Sequence, residues 1–499
     1  MAVASSIAYL CLGLVGTWVI GQILTLLHRL ARGRLNQIPG PSHTKYTHLG
    51  LKLATLQGRR MYYVDDLHSR FGPVVRLTPT EVAVADVQAF LAIHKVSSGF
   101  NKSIWYQELV PFPRSTVFTM NNPKQHAARR KLLARGFSKS HLRQHWEPIV
   151  MDKVRSAVDR MKTEARTGTV DILKWWTFMA TDTATLIMFG NSFQMIEHGK
   201  TNKYIRTLQQ AMMGSAMGYE FPVLRHIGKW LPWDIFRELF DSTPYLMEYG
   251  KNAIRGSRER GDTVNIFSKM IGDVPTNGET LDELDVVLEA SGLIVAGSDT
   301  TAISLTYLVW AVLGRPELHH AILEELIPLK EDFTDEDVEG LPLVNAVIDE
   351  TLRLYGAAPG GLPRVVPAQG LTIRGHYLPG GTTVTTQAYT IHRDGEIFDN
   401  PLKFDPYRWI RLREEEKATS EHELALAAFH PFGAGSRICL GIHLARMELR
   451  LATVQFFRHC PGARLAASTT AESMEMENFF LIAPKSHRCN IEIPSAMDR

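Results

Sequence analysis

The stretch Phe432-Gly433-Ala434-Gly435-Ser436-Arg437-Ile438-Cys439-Leu440-Gly441 decides the reading of this chain. Three glycines, an arginine and one cysteine stand between an aromatic residue and an apolar-periodic run, Ile442 to Phe457, that reads as a helix. A free thiol titrates near ~8.5, so a cysteine that acts as a ligand needs surroundings that favour the thiolate. The N-terminus of the following helix supplies them, through its positive dipole end and its unpaired N–H groups. Gly433 and Gly435 allow φ > 0, so the loop can turn back and aim backbone N–H groups at the sulfur. Gly441 leaves room for the helix to approach a flat group. Arg437 carries a fork that matches a carboxylate, and Phe432 is placed to pack near a ring. A lone cysteine is by default a small buried hydrophobe; here the spacing of five residues outweighs that default.

Such a thiolate suits the axial position of a haem iron, where it favours O–O cleavage. The pattern Phe432-x-x-Gly435-x-Arg437-x-Cys439-x-Gly441 resembles the haem-binding loop of the cytochrome P450 family. The resemblance implies a mainly α fold with small β-sheets, a single catalytic domain behind an N-terminal transmembrane helix, and haem b (iron protoporphyrin IX) ligated by Cys439. It also implies cofactor contacts from Phe432, Gly433, Gly435, Arg437 and Gly441, with Arg437 on a haem propionate.

Other motifs follow in the family's order. Glu350-Thr351-Leu352-Arg353 lies on a helix predicted from Leu341 to Tyr355, and residues three apart share a face. Taken alone the pair reads as a solvated surface ion pair worth little. The resemblance makes it the family's ExxR pair, completed by Arg408 of Phe404-Asp405-Pro406-Tyr407-Arg408-Trp409 in a buried structural network behind the haem.

A long helix is predicted from Leu281 to Leu313, with Thr280-x-x-Glu283 as its capping box and Gly314 to Pro316 at its end. Ala296-Gly297-Ser298-Asp299-Thr300-Thr301 sits in its middle, where such residues are costly unless used. A glycine beside Ser or Thr can open the helix ladder to water. On the residues alone, a tolerated polar kink and a catalytic groove stand level. The resemblance assigns the groove, with Ala296 and Gly297, to bound dioxygen, and Asp299 and Thr300 to an acid–alcohol pair that relays protons.

His126 and Arg130 lie four apart and share a helix face. The family often has tryptophan where this chain has His126; the resemblance implies that both residues reach a propionate, while Arg129 and Lys131 also read as a solvated basic face. Arg364, after Pro363, resembles a further propionate-binding arginine.

The chain has 499 residues, a net charge of +3 and four cysteines. The charge is too small and too evenly spread for nucleic acid. Four cysteines, one of them committed to iron, do not make a disulfide framework, and no zinc spacing occurs. Met1 to Leu27 contains no charged residue or histidine, and His28, Arg29, Arg32 and Arg34 follow. That predicts a single-pass anchor with the C-terminal bulk in the cytosol, at the endoplasmic reticulum membrane. Ile38-Pro39-Gly40-Pro41 reorients the chain. The expected division is 1–34 anchor and basic flank, 35–45 proline-rich hinge, 46–499 haem-thiolate domain. Trp230-Leu231-Pro232-Trp233 reads equally as a second membrane contact or as core.

The candidate substrate segments are Trp105 to Phe118, Met212 to Met217, the helix face near Ala296, Ala357 to Leu362, and Asn478 to Leu481. Their Met, Phe, Trp, Ala and Gly content predicts a largely apolar pocket with few fixed charges. Met212, Met213 and Met217 are also compatible with core filling. No Gly-x-Gly-x-x-Gly fingerprint is present, so electrons are expected from a separate NADPH–cytochrome P450 reductase, with cytochrome b5 as a second donor, docked on a basic face including Arg129, Lys131 and Arg446. Gly58-Arg59-Arg60-Met61-Tyr62-Tyr63 and Ala83-Val84-Ala85-Asp86 resemble filamentous-fungal members of secondary metabolism. The expected activity is monooxygenation of an apolar small molecule, by hydroxylation, epoxidation or desaturation. The rivals are a haem-thiolate isomerase or dehydratase, a ring-coupling oxidase, and a haem sensor or carrier. Asp299-Thr300 argues against the isomerase.

Overall fold

The computed structural model describes residues 35–110, 112–220, 243–259, 265–267, 281–414 and 420–494, with isolated positions at 16, 17, 20, 21, 23, 24, 33 and 239. Most of the N-terminal apolar run, Thr280 and the tryptophan segment 230–236 lie outside the described residues.

The helices that position the site are α1 (Val87–His94), α2 (Pro123–Ala134), α3 (Glu147–Ala165), α4 (Ile172–Phe189), α5 (Lys203–Glu220), α6 (Glu283–Leu313), α7 (Pro342–Tyr355) and α8 (Ile442–His459). α6 is the spine: it packs along α4 and against α7 and α8. It is long and apolar enough to cross a bilayer, but most of it is buried inside the protein. A helix apolar on all sides belongs in the core of a large domain.

Three helix bounds differ from expectation. α6 starts at Glu283, and its cap is Asp282, whose side chain accepts the Asp285 N–H. An aspartate there suits both the free N–H groups and the dipole, so the box expected at Thr280 is not the cap. α7 begins at Pro342, a favoured first-turn position for proline. α8 runs on to His459.

α6 is uninterrupted through its polar centre. Ser298 Oγ donates to the Ile294 carbonyl at 2.7 Å, Thr300 Oγ1 to Ala296 at 2.6 Å and Ser304 Oγ to Thr300 at 2.8 Å. The opening of the ladder expected from Gly297 is thus replaced by hydroxyls bonded one turn back.

Five short strands, β1 (Val74–Thr78), β2 (Glu81–Val84), β3 (Asn101–Lys102), β4 (Arg364–Val365) and β5 (Thr383–Thr386), form a sheet in the order β1-β2-β5-β4-β3. β2 and β5 are parallel and the other pairs antiparallel. In the outermost pair Lys102 is directly opposite Arg364. The proline-rich segment packs on this sheet: Leu35 and Ile38 join its apolar core. Buried Arg76 donates to the Leu35 carbonyl at 2.9 Å and to Thr44 Oγ1 at 3.0 Å.

Candidate functional site

The Phe432–Gly441 stretch folds back as a tight loop ahead of α8. The Cys439 N–H donates to the Phe432 carbonyl at 2.9 Å. Gly433 and Gly435 have φ of +72° and +62°. Gly435 has a second constraint: a Cβ there would stand 1.9 Å from the His94 carbonyl oxygen. Gly441 caps α8, and a Cβ there would meet only open space. Protein atoms crowd around Cys439, yet the residue keeps accessible surface. Burial pushes its thiol up; the Gly441 N–H and the Arg130 guanidinium draw it back down. Phe432 is half-buried under the Arg446 guanidinium, 5.6 Å from ring centre to carbon.

Five basic side chains converge beside this loop. Arg130 Nη1 donates to the Ile438 carbonyl at 2.7 Å, and Arg437 Nη1 to the Met120 carbonyl at 2.8 Å. Arg364 Nη1 donates to Tyr106 Oη at 3.1 Å. Lys102 Nζ donates to the Phe118 carbonyl at 2.5 Å and lies 4.0 Å from the centre of the Tyr106 ring. His126 is buried, and burial together with Arg437, Lys102, Arg130 and Arg364 lowers its pKa to about 3. Burial, then Arg364 and Arg437, holds Lys102 well below the usual lysine range. The partners of Lys102, Arg130, Arg364 and Arg437 are carbonyls, a phenol and ring faces; among the described residues none is paired with a carboxylate. Buried cations without counter-ions are costly. The donor set therefore fits a flat ligand carrying two carboxylates, which is what haem brings. Lys102 was not legible in the sequence; the β3–β4 register places it there.

On α6, Ala296 is exposed and Asp299 and Thr300 are half-exposed, on a helix otherwise closed in. Asp299 accepts Gln209 Nε2 from α5 at 3.3 and 3.4 Å, and burial raises its pKa. The neighbouring Thr301 Oγ1 donates to Glu448 Oε2 of α8 at 3.0 Å. That bond locks the centre of α6 to the helix that begins three residues after Cys439. Sequence reasoning missed Glu448, a charged residue on an apolar helix face. Burial pushes its pKa to about 8. The folded state therefore keeps a proton that the unfolded chain releases, and stability falls as pH rises from about 4.5 to about 8. Glu448→Gln is expected to raise the melting temperature at pH 8 and to change it little at pH 5. Equal shifts at the two pH values, measured by calorimetry, would contradict a protonated Glu448.

Glu350, Arg353 and Arg408 meet in the interior rather than on a solvated face. Arg353 makes a two-pronged pair with Glu350 at 2.7 and 2.8 Å, and Arg408 Nε reaches Glu350 Oε1 at 3.3 Å. Trp409 Nε1 and the Asp405 N–H fill the remaining acceptor positions of the carboxylate, at 3.0 and 2.9 Å. Arg353 also donates to the His392 and Pro401 carbonyls, both at 2.6 Å, tying α7 to the chain ahead of the cysteine loop.

Two expectations change. Arg129 does not offer a free surface charge: it pairs with Asp285 at 3.0 Å and with buried Glu289 at 2.8 Å on α6. Arg446 is also engaged, with Asp349 at 3.0 Å, and Lys131 alone of the three is exposed and unpaired among the described residues. One cavity near the site is also more polar than the pocket expected for substrate, though none of Ala296, Asp299, Thr300 and Cys439 lines it. A space of about 340 Å³ is lined by Trp105, Leu362, Phe479 and Phe480, but also by the Arg60–Glu81 pair and by Lys52 and Glu220. It adjoins the cysteine loop through Leu362, whose Cδ1 lies 3.8 Å from where a Cβ on Gly433 would stand. Of the candidate substrate segments, Ala358, Gly360 to Leu362 and Asn478 to Phe480 line it, together with Trp105. Met213 points outward and is 60% exposed.

Comparison with known proteins bears on these features together. The cytochrome P450 family profile matches residues 39–489. The chain is 42% identical over 479 residues to cytochrome P450 monooxygenase tazI of Aspergillus terreus, covering 94% of this chain and 96% of the relative. It is 38% identical over 488 residues to cytochrome P450 monooxygenase aflV of Aspergillus parasiticus, covering 96% and 95%. It is 39% identical over 468 residues to cytochrome P450 monooxygenase stcB of Emericella nidulans, covering 92% and 88%. The fold matches the crystal structure of the cytochrome P450DA heme domain with a TM-score of 0.77 at 20% identity, over 93% of this chain and 99% of that one. With the looped cysteine, the unpaired cations and the braced α7, these matches lead to one conclusion: the chain belongs to the cytochrome P450 family and is a haem-thiolate monooxygenase.

Proposed function

We propose that this protein oxidises an apolar small molecule of fungal secondary metabolism with dioxygen and electrons from NADPH through a separate reductase: hydroxylation or epoxidation puts one oxygen atom into the substrate and the other into water, whereas desaturation removes two hydrogens and sends both oxygen atoms to water. The observation that carries the reading is the pairing of an accessible, enclosed Cys439 with a half-exposed Asp299–Thr300 on the helix locked to α8. Haem, bound there, would supply the oxygen-activating centre; the protein orients and protonates. Cys439 would hold the haem iron through its thiolate, and Lys102, His126, Arg130, Arg364 and Arg437 would hold the propionates. Asp299 takes protons from the α5 side, where Gln209 meets it, and Thr300 passes them on from a hydroxyl now resting on the Ala296 carbonyl. Product formation that depends jointly on NADPH, reductase and dioxygen tests the reading; turnover without reductase would favour the isomerase or dehydratase instead.

Thr300→Ala leaves the Ala296 carbonyl without its hydroxyl and removes the proton path. Product per NADPH consumed is expected to fall roughly tenfold or more, with peroxide rising in its place. Unchanged coupling would remove Thr300 from the relay.

The described positions within the N-terminal apolar run are helical where they occur, and Ile20, Ile23 and Leu24 are exposed. Exposed apolar residues on a helix fit a single-pass membrane anchor, and we infer that the membrane is that of the endoplasmic reticulum, with the remaining domain in the cytosol. The reductase, and cytochrome b5 as second donor, would dock on the cysteine side through Lys131. Lys131→Glu is expected to slow reduction at low salt and to matter less as salt rises. A stopped-flow rate identical to that of the unmodified protein at low salt would move the interface elsewhere.

A further inference from the structure

Behind the Cys439 loop runs a line of buried rings that the mechanism does not use. Phe90 lies 4.6 Å from His94 on one side and stacks on His430 at 3.7 Å on the other, and His430 meets His392 at 4.9 Å between ring centres. Of these, His392 is bonded in two directions. Its Nδ1 lies 3.1 Å from the Arg353 carbonyl and therefore carries the hydrogen. Its Nε2 accepts the His430 backbone N–H at 3.1 Å. The His392 carbonyl in turn accepts Arg353 Nη1. The ring is 1% exposed, and burial, with His430, Arg393 and Arg353 around it, keeps it neutral, as one donor and one acceptor require.

His430 stands two residues ahead of Phe432, whose carbonyl receives the Cys439 N–H. Hydrogen bonds therefore run from the Glu350–Arg353 pair through the His392 ring to the strand of the loop opposite Cys439. The other flank of the loop is fixed by contact, with Gly435 pressed on the His94 carbonyl. A loop held on one side by close packing and on the other by a donor–acceptor ring has little freedom to shift its sulfur.

We propose that His392 is a positioning residue for the thiolate: by donating to the Arg353 carbonyl and accepting from the His430 amide, it sets the distance between α7 and the loop that carries Cys439. This rests on Cys439 being the axial ligand.

The test uses the full-length holoenzyme. His392→Phe keeps the ring volume and loses both bonds; His392→Gln keeps one donor and one acceptor. The readout is the rate at which the ferrous–CO complex passes from its thiolate-ligated spectrum to the form without thiolate at a fixed mild temperature, with haem content and melting temperature recorded alongside. His392→Phe is expected to convert at least tenfold faster, and His392→Gln to return most of the way to the unmodified rate. Conversion of His392→Phe at the unmodified rate overturns the proposal, as does a glutamine variant no better than phenylalanine. Should His392→Phe fail to fold, hydrogen exchange in the unmodified holoenzyme decides: the His430 amide is expected to be as protected as the interior of α7, and rapid exchange overturns the proposal. An unmodified protein that never shows the thiolate spectrum would reject the ligand assignment of Cys439 instead.

Discussion

Cys439→Ser is expected to abolish the thiolate-type ferrous–CO spectrum and to bring NADPH-dependent oxygenation down to background. A serine hydroxyl stays protonated at neutral pH and cannot replace a thiolate as the electron-donating axial ligand. The control lies in the other described cysteines. Cys460 and Cys489 are buried, and burial pushes both thiols up, Cys460 to about 12. Neither is a ligand in waiting. Cys460→Ser and Cys489→Ser are expected to keep the spectrum and to lose at most some stability from a polar group in an apolar site. Spectra recorded on the three variants, each normalised to haem content, separate the outcomes. A thiolate spectrum surviving in Cys439→Ser would end the assignment.

The second large effect is expected at Glu350. Its carboxylate receives Arg353, Arg408, the Trp409 indole and the Asp405 amide, and its side chain is fully buried. Glu350→Gln keeps the shape but leaves two buried guanidiniums without an anion. Breaking a buried ion pair by removing one partner costs about 3–5 kcal/mol. That is a large part of the roughly 5–15 kcal/mol that holds a domain folded. The variant is expected to accumulate poorly and to carry little haem, because Arg353 also anchors the carbonyls of His392, Pro401 and Lys403. Haem per protein and the midpoint of urea unfolding measure the effect. A variant with full haem content and an unchanged midpoint would mean that the network is dispensable.

Short motifs carried much of the reading, because their residues are close in the chain and their geometry is local. The loop from Phe432 to Gly441 needs positive φ at Gly433 and Gly435, and its spacing expresses that need directly. Glu350 and Arg353 sit one helical turn apart, so their pairing is set by the helix itself. The long apolar period of α6 made it a spine before any contact was known. Misreadings concern residues whose partners come from far along the chain. Arg129 follows His126 on a basic helix and reads as surface; only packing shows it between Asp285 and Glu289, more than a hundred residues away. Lys102 belongs to no motif. Glu448, on the apolar side of α8, finds Thr301 only when α6 crosses it.

The sequence by itself determined the local features on which the proposed chemistry rests: a cysteine in a glycine-bent loop at a helix N-terminus, an aspartate and a threonine in the middle of a long helix, and a carboxylate–guanidinium pair on one helix face. Those are local properties, set by backbone sterics and helical spacing. Only the tertiary structure decided how the charges are spent. Strand register set Lys102 opposite Arg364, packing gathered Arg130, His126 and Arg437 beside them with no carboxylate partner among the described residues, and the same packing took Arg129 out of the surface and Glu448 into the core. The physical reason is burial: a charge in water is nearly indifferent to its neighbours, whereas a charge enclosed by protein must have a partner, and which partner it finds depends on contacts that no local pattern encodes.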